Sequence, residues 1–126
     1  YNDRLNIHHS DLGNVGEWGR SLSYEKKAIF SDYTDYVWRQ KEKPKFVLID
    51  GRFRVCCFLT SLKFAEEGTK ILFDDYINRK QYHFVEKYVH RVKENWKQCL
   101  FIVPPKNQIN MNELDKDIDS FRNVMD

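Results

Sequence analysis

The sequence predicts an α/β domain in which short buried strands alternate with helices and form a mostly parallel sheet. Apolar runs over residues 46–49, 69–73 and 99–103 are too short for helices, and proline, glycine or aspartate bounds them. After each run, apolar residues recur at helical spacing, over residues 53–67, 77–96 and 111–125. This alternation of strand and helix is typical of a layered α/β domain.

Length and composition predict one domain with a single core. The chain has 126 residues, of which 41% are hydrophobic and 32% are charged. Its 21 basic and 19 acidic residues give a formal net charge of +2, so we expect neither nucleic acid nor a membrane surface as a partner. Three cysteines without disulfide or zinc spacing predict buried thiols and a reducing, cytoplasmic location.

Two elements are predicted before the first buried strand. A short strand over residues 5–9 runs into a loop with glycine at every third position, and a helix over residues 24–40 ends before Pro44. The glycine spacing differs from the G-x-G-x-x-G fingerprint, so we interpret the segment as an ordinary ordered loop. Trp18 in this loop is either a plug packed on the domain or a contact for a substrate.

Polar side chains follow the first two buried strands. Asp50 and Arg52 come after the first, and Asp74 and Asp75 come after the second. Ligands of open α/β sheets bind at the carboxyl ends of strands, and consecutive parallel strands usually lie side by side. The carboxylates could therefore share a hard cation such as Mg²⁺. The alternative is that these aspartates cap the helices that follow them.

Two arginines are predicted in the first turn of the helix over residues 53–67. A helix macrodipole disfavours cations there, so at least one of Arg52 and Arg54 should have a specific anionic partner, such as Asp50, Asp74 or a substrate. Tyr76 could line the same rim. We therefore take Trp18, Arg54 and Tyr76 as candidate substrate contacts.

Two helix caps are predicted. Gly68 follows the helix over residues 53–67 and suits the left-handed conformation of a C-terminal cap. Asn112 stands at the start of the last helix, over residues 111–125, and suits an N-terminal cap. The helix over residues 77–96 has the clearest amphipathic pattern, with its charged face in solvent.

Residues 47–51 and 68–76 resemble the fourth and fifth strands of Rossmann-like S-adenosylmethionine-dependent methyltransferases. In that superfamily an I/V-D-G strand end precedes a strand of the form G-G-hydrophobic-hydrophobic-D-D/N. The longer strings over residues 11–19 and 50–55 look like a less well-described branch of it. The resemblance covers residues 5–103 approximately.

The resemblance implies a three-layer Rossmann-like domain that lacks the first strands of the methyltransferase fold. The glycine-rich methionine loop and the ribose-binding acid of the superfamily would precede Tyr1, so we expect the chain to be a whole reduced domain or the C-terminal portion of one. Asp11 matches the acid that meets the adenine of the cofactor, and Leu12 and Gly13 follow it as candidate cofactor contacts.

The resemblance also implies a metal site. In the metal-dependent O-methyltransferases, Asp50 would match the first metal ligand, and Asp74 and Asp75 would match an Asp-Asn ligand pair.

Three functions are compatible with these features. The first is methyl transfer from S-adenosylmethionine to an oxygen of a small-molecule substrate, with Asp50 and Asp75 positioning a metal or the acceptor and Arg52 binding an acidic group. The second is a non-catalytic assembly module that forms a homo-oligomer through an exposed sheet edge. The third is a Rossmann-like enzyme that handles phosphosugars or nucleotides, with Arg52 and Arg54 as an anion clamp.

Overall fold

The structure is a computed structural model that describes residue 8 and residues 30–126. The predicted strand over residues 5–9 lies outside the described residues except for His8. The glycine-rich loop and residues 24–29 of the predicted first helix also lie outside them.

Seven regular elements and three short 3₁₀ helices make up the described residues. Three of the strands lie within one residue of their predicted bounds, and the fourth was not predicted. The helices are α1 Phe30–Asp35, α2 Arg54–Phe64 and α3 Met111–Phe121, the strands are β1 Phe46–Ile49, β2 Lys70–Phe73, β3 Lys93–Asn95 and β4 Gln98–Ile102, and the 3₁₀ helices are Tyr36–Arg39, Lys80–Lys87 and Lys106–Gln108.

The four strands form one sheet in the order β1-β2-β4-β3. Only β1 and β2 are parallel, whereas β2 with β4 and β3 with β4 are antiparallel. The prediction of a mostly parallel sheet is therefore wrong for the described residues. Only the β1 to β2 connection carries an α-helix, whereas β3 and β4 form a hairpin, which requires antiparallel strands.

The predicted helix over residues 77–96 is also wrong. The chain forms the 3₁₀ helix Lys80–Lys87 and then the strand β3, which turns into β4 through Trp96 and Lys97. Trp96 adopts a left-handed conformation with φ of 57° and is 84% exposed. The apolar spacing matched a helical face, but its last residue lies at a hairpin turn in solvent.

Helix α2 packs on one face of the sheet and forms the centre of the core. The ring of Phe58 lies 5.7 Å from that of Phe73 and 5.0 Å from that of Phe101, measured between centroids. Helices α1 and α3 and the 3₁₀ helix Lys80–Lys87 all contact α2. The described helices thus gather around α2.

The opposite face of the sheet, which we call the outer face, is apolar and exposed. Phe46 and Leu48 of β1 are each 56% exposed, and Ile102 of β4 is 39% exposed. The described residues therefore form two layers, and the third layer of the predicted domain is not among them. The prediction that β1 is a buried strand is wrong for its outer face, because its alternate side chains are exposed there.

Both predicted caps differ from the structure. The side chain of Asn110, rather than Asn112, accepts a hydrogen bond from the backbone N–H of Glu113 at 3.1 Å and caps α3. Gly68 has a left-handed φ of 90°, as predicted, but α2 ends at Phe64, so Gly68 belongs to the turn before β2. Across residues 30–126, no helix has the length and apolar character needed to cross a membrane.

Candidate functional site

A cleft of about 370 Å³ lies at the carboxyl ends of β1 and β2. The two strand ends are joined by a hydrogen bond of 3.0 Å from the backbone N–H of Asp74 to the carbonyl of Ile49. This position agrees with the rule that ligands of α/β sheets bind beyond the carboxyl ends of strands. The cleft is lined by Asp50, Arg52, Arg54, Asp75 and Arg79.

The three aspartates predicted at the strand ends do come together. One carboxylate oxygen from each of Asp50, Asp74 and Asp75 lies within 4.8 Å of the other two. The alternative of helix capping is wrong, because Phe53 and Arg79 occupy the N-cap positions and neither helix start receives a side-chain cap. The parallel pairing of β1 and β2 brings these acids to one edge.

Arg54 lies buried beneath the acids and is only 4% exposed. Its Nε donates to the carbonyl of Gly51 at 3.1 Å, and Nη1 donates to the carbonyl of Asp74 at 2.8 Å. Its Nη2 lies 3.4 Å from the carboxylate of Asp50 and 3.9 Å from that of Asp75. The prediction that one of the arginines has a specific anionic partner is therefore confirmed for Arg54.

Two residues beside the cleft have left-handed backbones although neither is glycine. Phe53 has φ of 54° and Asp75 has φ of 53°. Such conformations cost about 1–3 kcal/mol each and persist where the surroundings hold them. Here the N–H groups of Phe53 and Arg54 donate to the carbonyls of Met125 and Asp126, both at 3.1 Å. These contacts fix the direction in which the Arg54 side chain leaves the backbone.

Arg52 and Arg79 present the accessible positive charge of the cleft. Arg79 donates to the hydroxyl of Tyr82 at 3.3 Å, lies 3.9 Å from the carboxylate of Asp75, and has a side chain that is 42% exposed. The Nε of Arg52 is buried without a hydrogen-bond partner in the part of the chain that the structure describes. Arg79 was missed from the sequence, although its spacing of four residues from Asp75 is a usable signal.

An apolar cavity of about 220 Å³ adjoins the cleft and shares Asp50 and Arg52 with it. It lies between the first helical segment and β1, and Tyr33 and Trp38 are among its aromatic walls. Burial raises the pKa of Tyr33, so the hydroxyl stays protonated while it accepts from the backbone N–H of Arg52 at 3.0 Å. The site therefore combines a charged cleft with an apolar annex.

Tyr76 lies in the core rather than on the rim of the cleft, where it was expected. It is fully buried, and its hydroxyl donates to Glu86 at 2.6 Å. Burial and the adjacent Glu86 carboxylate raise the pKa of Tyr76. The remaining candidate contacts, Trp18 and residues 11–13, lie outside the described residues.

The cleft does not suit a divalent cation, although its oxygens are of the type that Mg²⁺ prefers. The guanidinium of Arg54 already lies within 3.4 Å of Asp50 and 3.9 Å of Asp75. Two like unit charges about 4 Å apart repel by about 4 kcal/mol near a protein surface, and a divalent ion doubles this. The buried guanidinium thus competes with a metal for the same carboxylates.

Comparison with known proteins gives a structural match. No protein-family model matches the chain, and no curated protein matches it either. The crystal structure of a methyltransferase-like protein from Silicibacter pomeroyi superposes with a TM-score of 0.81 at 34% sequence identity. The match covers 93% of this chain and 61% of that protein. The described part of the chain therefore has a methyltransferase-like fold.

Proposed function

We propose that the protein acts in methyl transfer from S-adenosylmethionine and that the cleft at the ends of β1 and β2 binds the methyl acceptor. The observation that carries this proposal is the position of the charged cleft at the carboxyl ends of adjacent parallel strands in a methyltransferase-like fold. The chain matches only 61% of the related structure. The methyl transfer is therefore proposed for the whole protein and not for this segment by itself.

The described residues suit only part of the cofactor. S-adenosylmethionine, when bound, supplies a methyl group on a sulfonium. The apolar cavity of about 220 Å³ is smaller than the about 300–1,000 Å³ typical of small-molecule sites. In this proposal it holds an apolar portion of the cofactor, next to Asp50 and Arg52. The contacts proposed at Asp11, Leu12 and Gly13 lie outside the described residues.

The cleft residues bind and orient the acceptor in this proposal. Arg52 and Arg79 bind an acidic group of the acceptor, since their charges face the cleft. In this proposal Asp50, whose side chain is 50% exposed, would accept the hydrogen bond and then the proton of the acceptor hydroxyl. The cofactor would supply the methyl group, and its carbon–sulfur bond would break as the bond to the acceptor oxygen forms, which leaves the sulfur as a neutral thioether. Catalysis is then mainly proximity and orientation.

The proposed reaction uses no metal, because the guanidinium of Arg54 already contacts two of the carboxylates that a metal would bind, those of Asp50 and Asp75. The same contact weakens the alternative of a phosphosugar enzyme with Arg52 and Arg54 as its clamp. The buried Arg54 is engaged by protein groups, so Arg79 would have to take its place.

Calorimetric titration of S-adenosylmethionine tests the proposal. The cofactor is titrated into this polypeptide and into the longest natural form of the chain, each with Mg²⁺ and with EDTA. Binding to the longer form would support the proposal if the affinity is the same with Mg²⁺ and with EDTA. Binding to this polypeptide is not needed for that support. An absence of binding to both forms would refute it, and binding that requires Mg²⁺ would refute its metal-free form.

A second candidate function is assembly through the sheet. Among the strands that the structure describes, β1 is at the edge of the sheet, and its outward side chains Phe46 and Leu48 are each 56% exposed. Exposed edges and large apolar patches favour pairing with another chain. Light scattering on a size-exclusion column should then show a dimer that Leu48→Lys dissociates, and a monomer at high concentration would contradict this candidate.

A further inference from the structure

We propose that Arg54 is a built-in cation that takes the place of a divalent metal, so that the cleft binds the acidic group of its acceptor through arginines and without a metal. This inference rests on the proposed function only for the location of the site. It assigns Arg54 a positioning role, since the residue holds Asp50 and Asp75 rather than touching the reacting atoms.

The guanidinium is held in place by groups other than the carboxylates. The carbonyls of Gly51 and Asp74 accept its hydrogen bonds at 3.1 and 2.8 Å, and the ring of Tyr82 lies 5.7 Å from its central carbon. Because these partners belong to both strand ends and to the 3₁₀ helix, the positive charge stays at one point. A mobile surface arginine would lack such contacts.

Burial of this charge requires opposite charge nearby. Arg54 is 4% exposed, and an unpaired charge at such a position costs several kcal/mol. The carboxylates of Asp50 and Asp75, at 3.4 and 3.9 Å, supply the compensation. The presence of Asp50 and Asp75 is therefore explained by Arg54 without a metal.

The cleft lining leaves two arginines for a ligand. Two carboxylates and three guanidinium groups line it, and the carboxylate of Asp74, within 4.8 Å of the other two, brings the formal charge to zero. Arg54 is held by protein groups, so Arg52 and Arg79 are the guanidinium groups that a carboxylate or phosphate of the acceptor can contact.

Titration of Mn²⁺, followed by electron paramagnetic resonance of the free ion, tests this inference on the full chain. The wild-type protein should not bind Mn²⁺ below about 1 mM, a limit typical of weak metal modules. Arg54→Gln should bind Mn²⁺ at least about tenfold more tightly, because it frees the carboxylates while it removes one positive charge. Adding Asp75→Asn to this variant should abolish the gain.

Two further variants serve as controls. Arg54→Lys keeps the charge and should show no gain, and Arg52→Gln removes a cleft arginine without contact to the carboxylates and should also show none. An equal gain in Arg52→Gln would overturn the inference, because net charge alone would then explain it. Wild-type binding of Mn²⁺ that Asp75→Asn abolishes would overturn it as well.

The wild-type titration decides the question even where Arg54→Gln does not fold, which circular dichroism would show. This experiment is also independent of the methyltransferase proposal. Failure of S-adenosylmethionine to bind would refute the proposed function and leave the role of Arg54 intact. Binding of Mn²⁺ at the aspartates would refute the role of Arg54 and leave methyl transfer as a proposal.

Discussion

The hydroxyl oxygen of Tyr33 accepts a hydrogen bond of 3.0 Å from the backbone N–H of Arg52. The same hydroxyl lies against Gly51, where a Cβ atom would overlap it. A Cβ atom at residue 51 would therefore force the Tyr33 side chain or the turn to move, and the φ of Gly51 is not in the left-handed region. This contact sets the backbone of the turn after β1, which carries the cleft residues Asp50 and Arg52.

Gly51→Ala should destabilise the protein by about 1–3 kcal/mol, because overpacking against a half-buried ring forces the turn or Tyr33 to move. Tyr33→Phe removes the overlapping oxygen, so Gly51→Ala should cost less in that background. Urea unfolding of the two single variants and the double variant measures this coupling. Strictly additive free energies would show that the two residues do not interact.

The sequence predicted the positions of the strands better than their exposure and their connections. Residues 46–49 and 70–73 form strands as expected, because short β-branched and apolar runs between breakers have few other stable conformations. The sequence could not show that Leu48 is exposed. An apolar run has the same pattern whether one face of the sheet is covered or both. The hairpin at Trp96 was missed because the apolar residues over 77–96 recur at helical spacing. Residues 80–87 do form a 3₁₀ helix, but the rest of that stretch does not continue it.

Lys106 caps the C-terminus of α2, since its ammonium donates to the carbonyls of Leu62 and, at 3.1 Å, Lys63. These carbonyls lack partners within the helix and carry the negative end of its dipole. Lys106→Met should therefore lower the free energy of unfolding by about 1 kcal/mol. Thermal unfolding checks this value.

Lys43→Met is the matched control for the capping lysine. Its ammonium donates to the carbonyl of Phe64 at 3.3 Å from an exposed position, so its removal should cost clearly less. Equal losses of unfolding free energy in Lys106→Met and Lys43→Met would show that the burial of Lys106 does not strengthen its cap of α2.

Glu86 should make the stability depend on pH. Burial raises the pKa of Glu86, but hydrogen bonds from Tyr76 and Arg91 outweigh it and leave the pKa below its usual value. A depressed carboxyl pKa contributes stability above the unfolded pKa of about 4.3, and this is lost as pH falls through the folded pKa. Glu86→Gln should thus be less stable than wild type by about 1 kcal/mol at pH 7.

The measurement is urea unfolding of wild type and Glu86→Gln from pH 7 to pH 3. The difference between them should shrink below the unfolded pKa of about 4.3. Glu67→Gln, at an exposed position, is the control and should show a small difference at every pH. A difference for Glu86→Gln that stays constant with pH would contradict the prediction.

The candidate site was predictable in part. Asp50, Asp74 and Asp75 were found because acids directly after buried strands must meet when the strands pair. The position of Arg54 was not predicted. The side chain of Arg54 lies under the acids because the preceding residue, Phe53, has a left-handed backbone, which the sequence does not indicate. Arg79 was missed because residues 77–96 were expected to form a helix pointing its charges to solvent.

Arg79→Gln should weaken anion binding to the cleft. Inorganic phosphate is the probe, and loss of one charge-assisted contact should raise its Kd about tenfold. Arg39→Gln is the control, because Arg39 pairs with Asp32 outside the cleft and its side chain is 55% exposed. Nuclear magnetic resonance titration gives both values, and equal Kd values in wild type and Arg79→Gln would exclude Arg79 from the anion site.

Neighbouring residues of β1 should differ sharply in their contribution to stability. Ile49 is 5% exposed on the inner face, so Ile49→Ala should cost about 2–5 kcal/mol through the cavity it leaves. Leu48 is 56% exposed on the outer face, and Leu48→Ala should cost less than about 1 kcal/mol. Unfolding in urea at several protein concentrations measures both, because a dimer through the outer face would make the effect of Leu48→Ala grow with concentration. A large, concentration-independent loss for Leu48→Ala would instead mean that the outer face is covered within the chain itself.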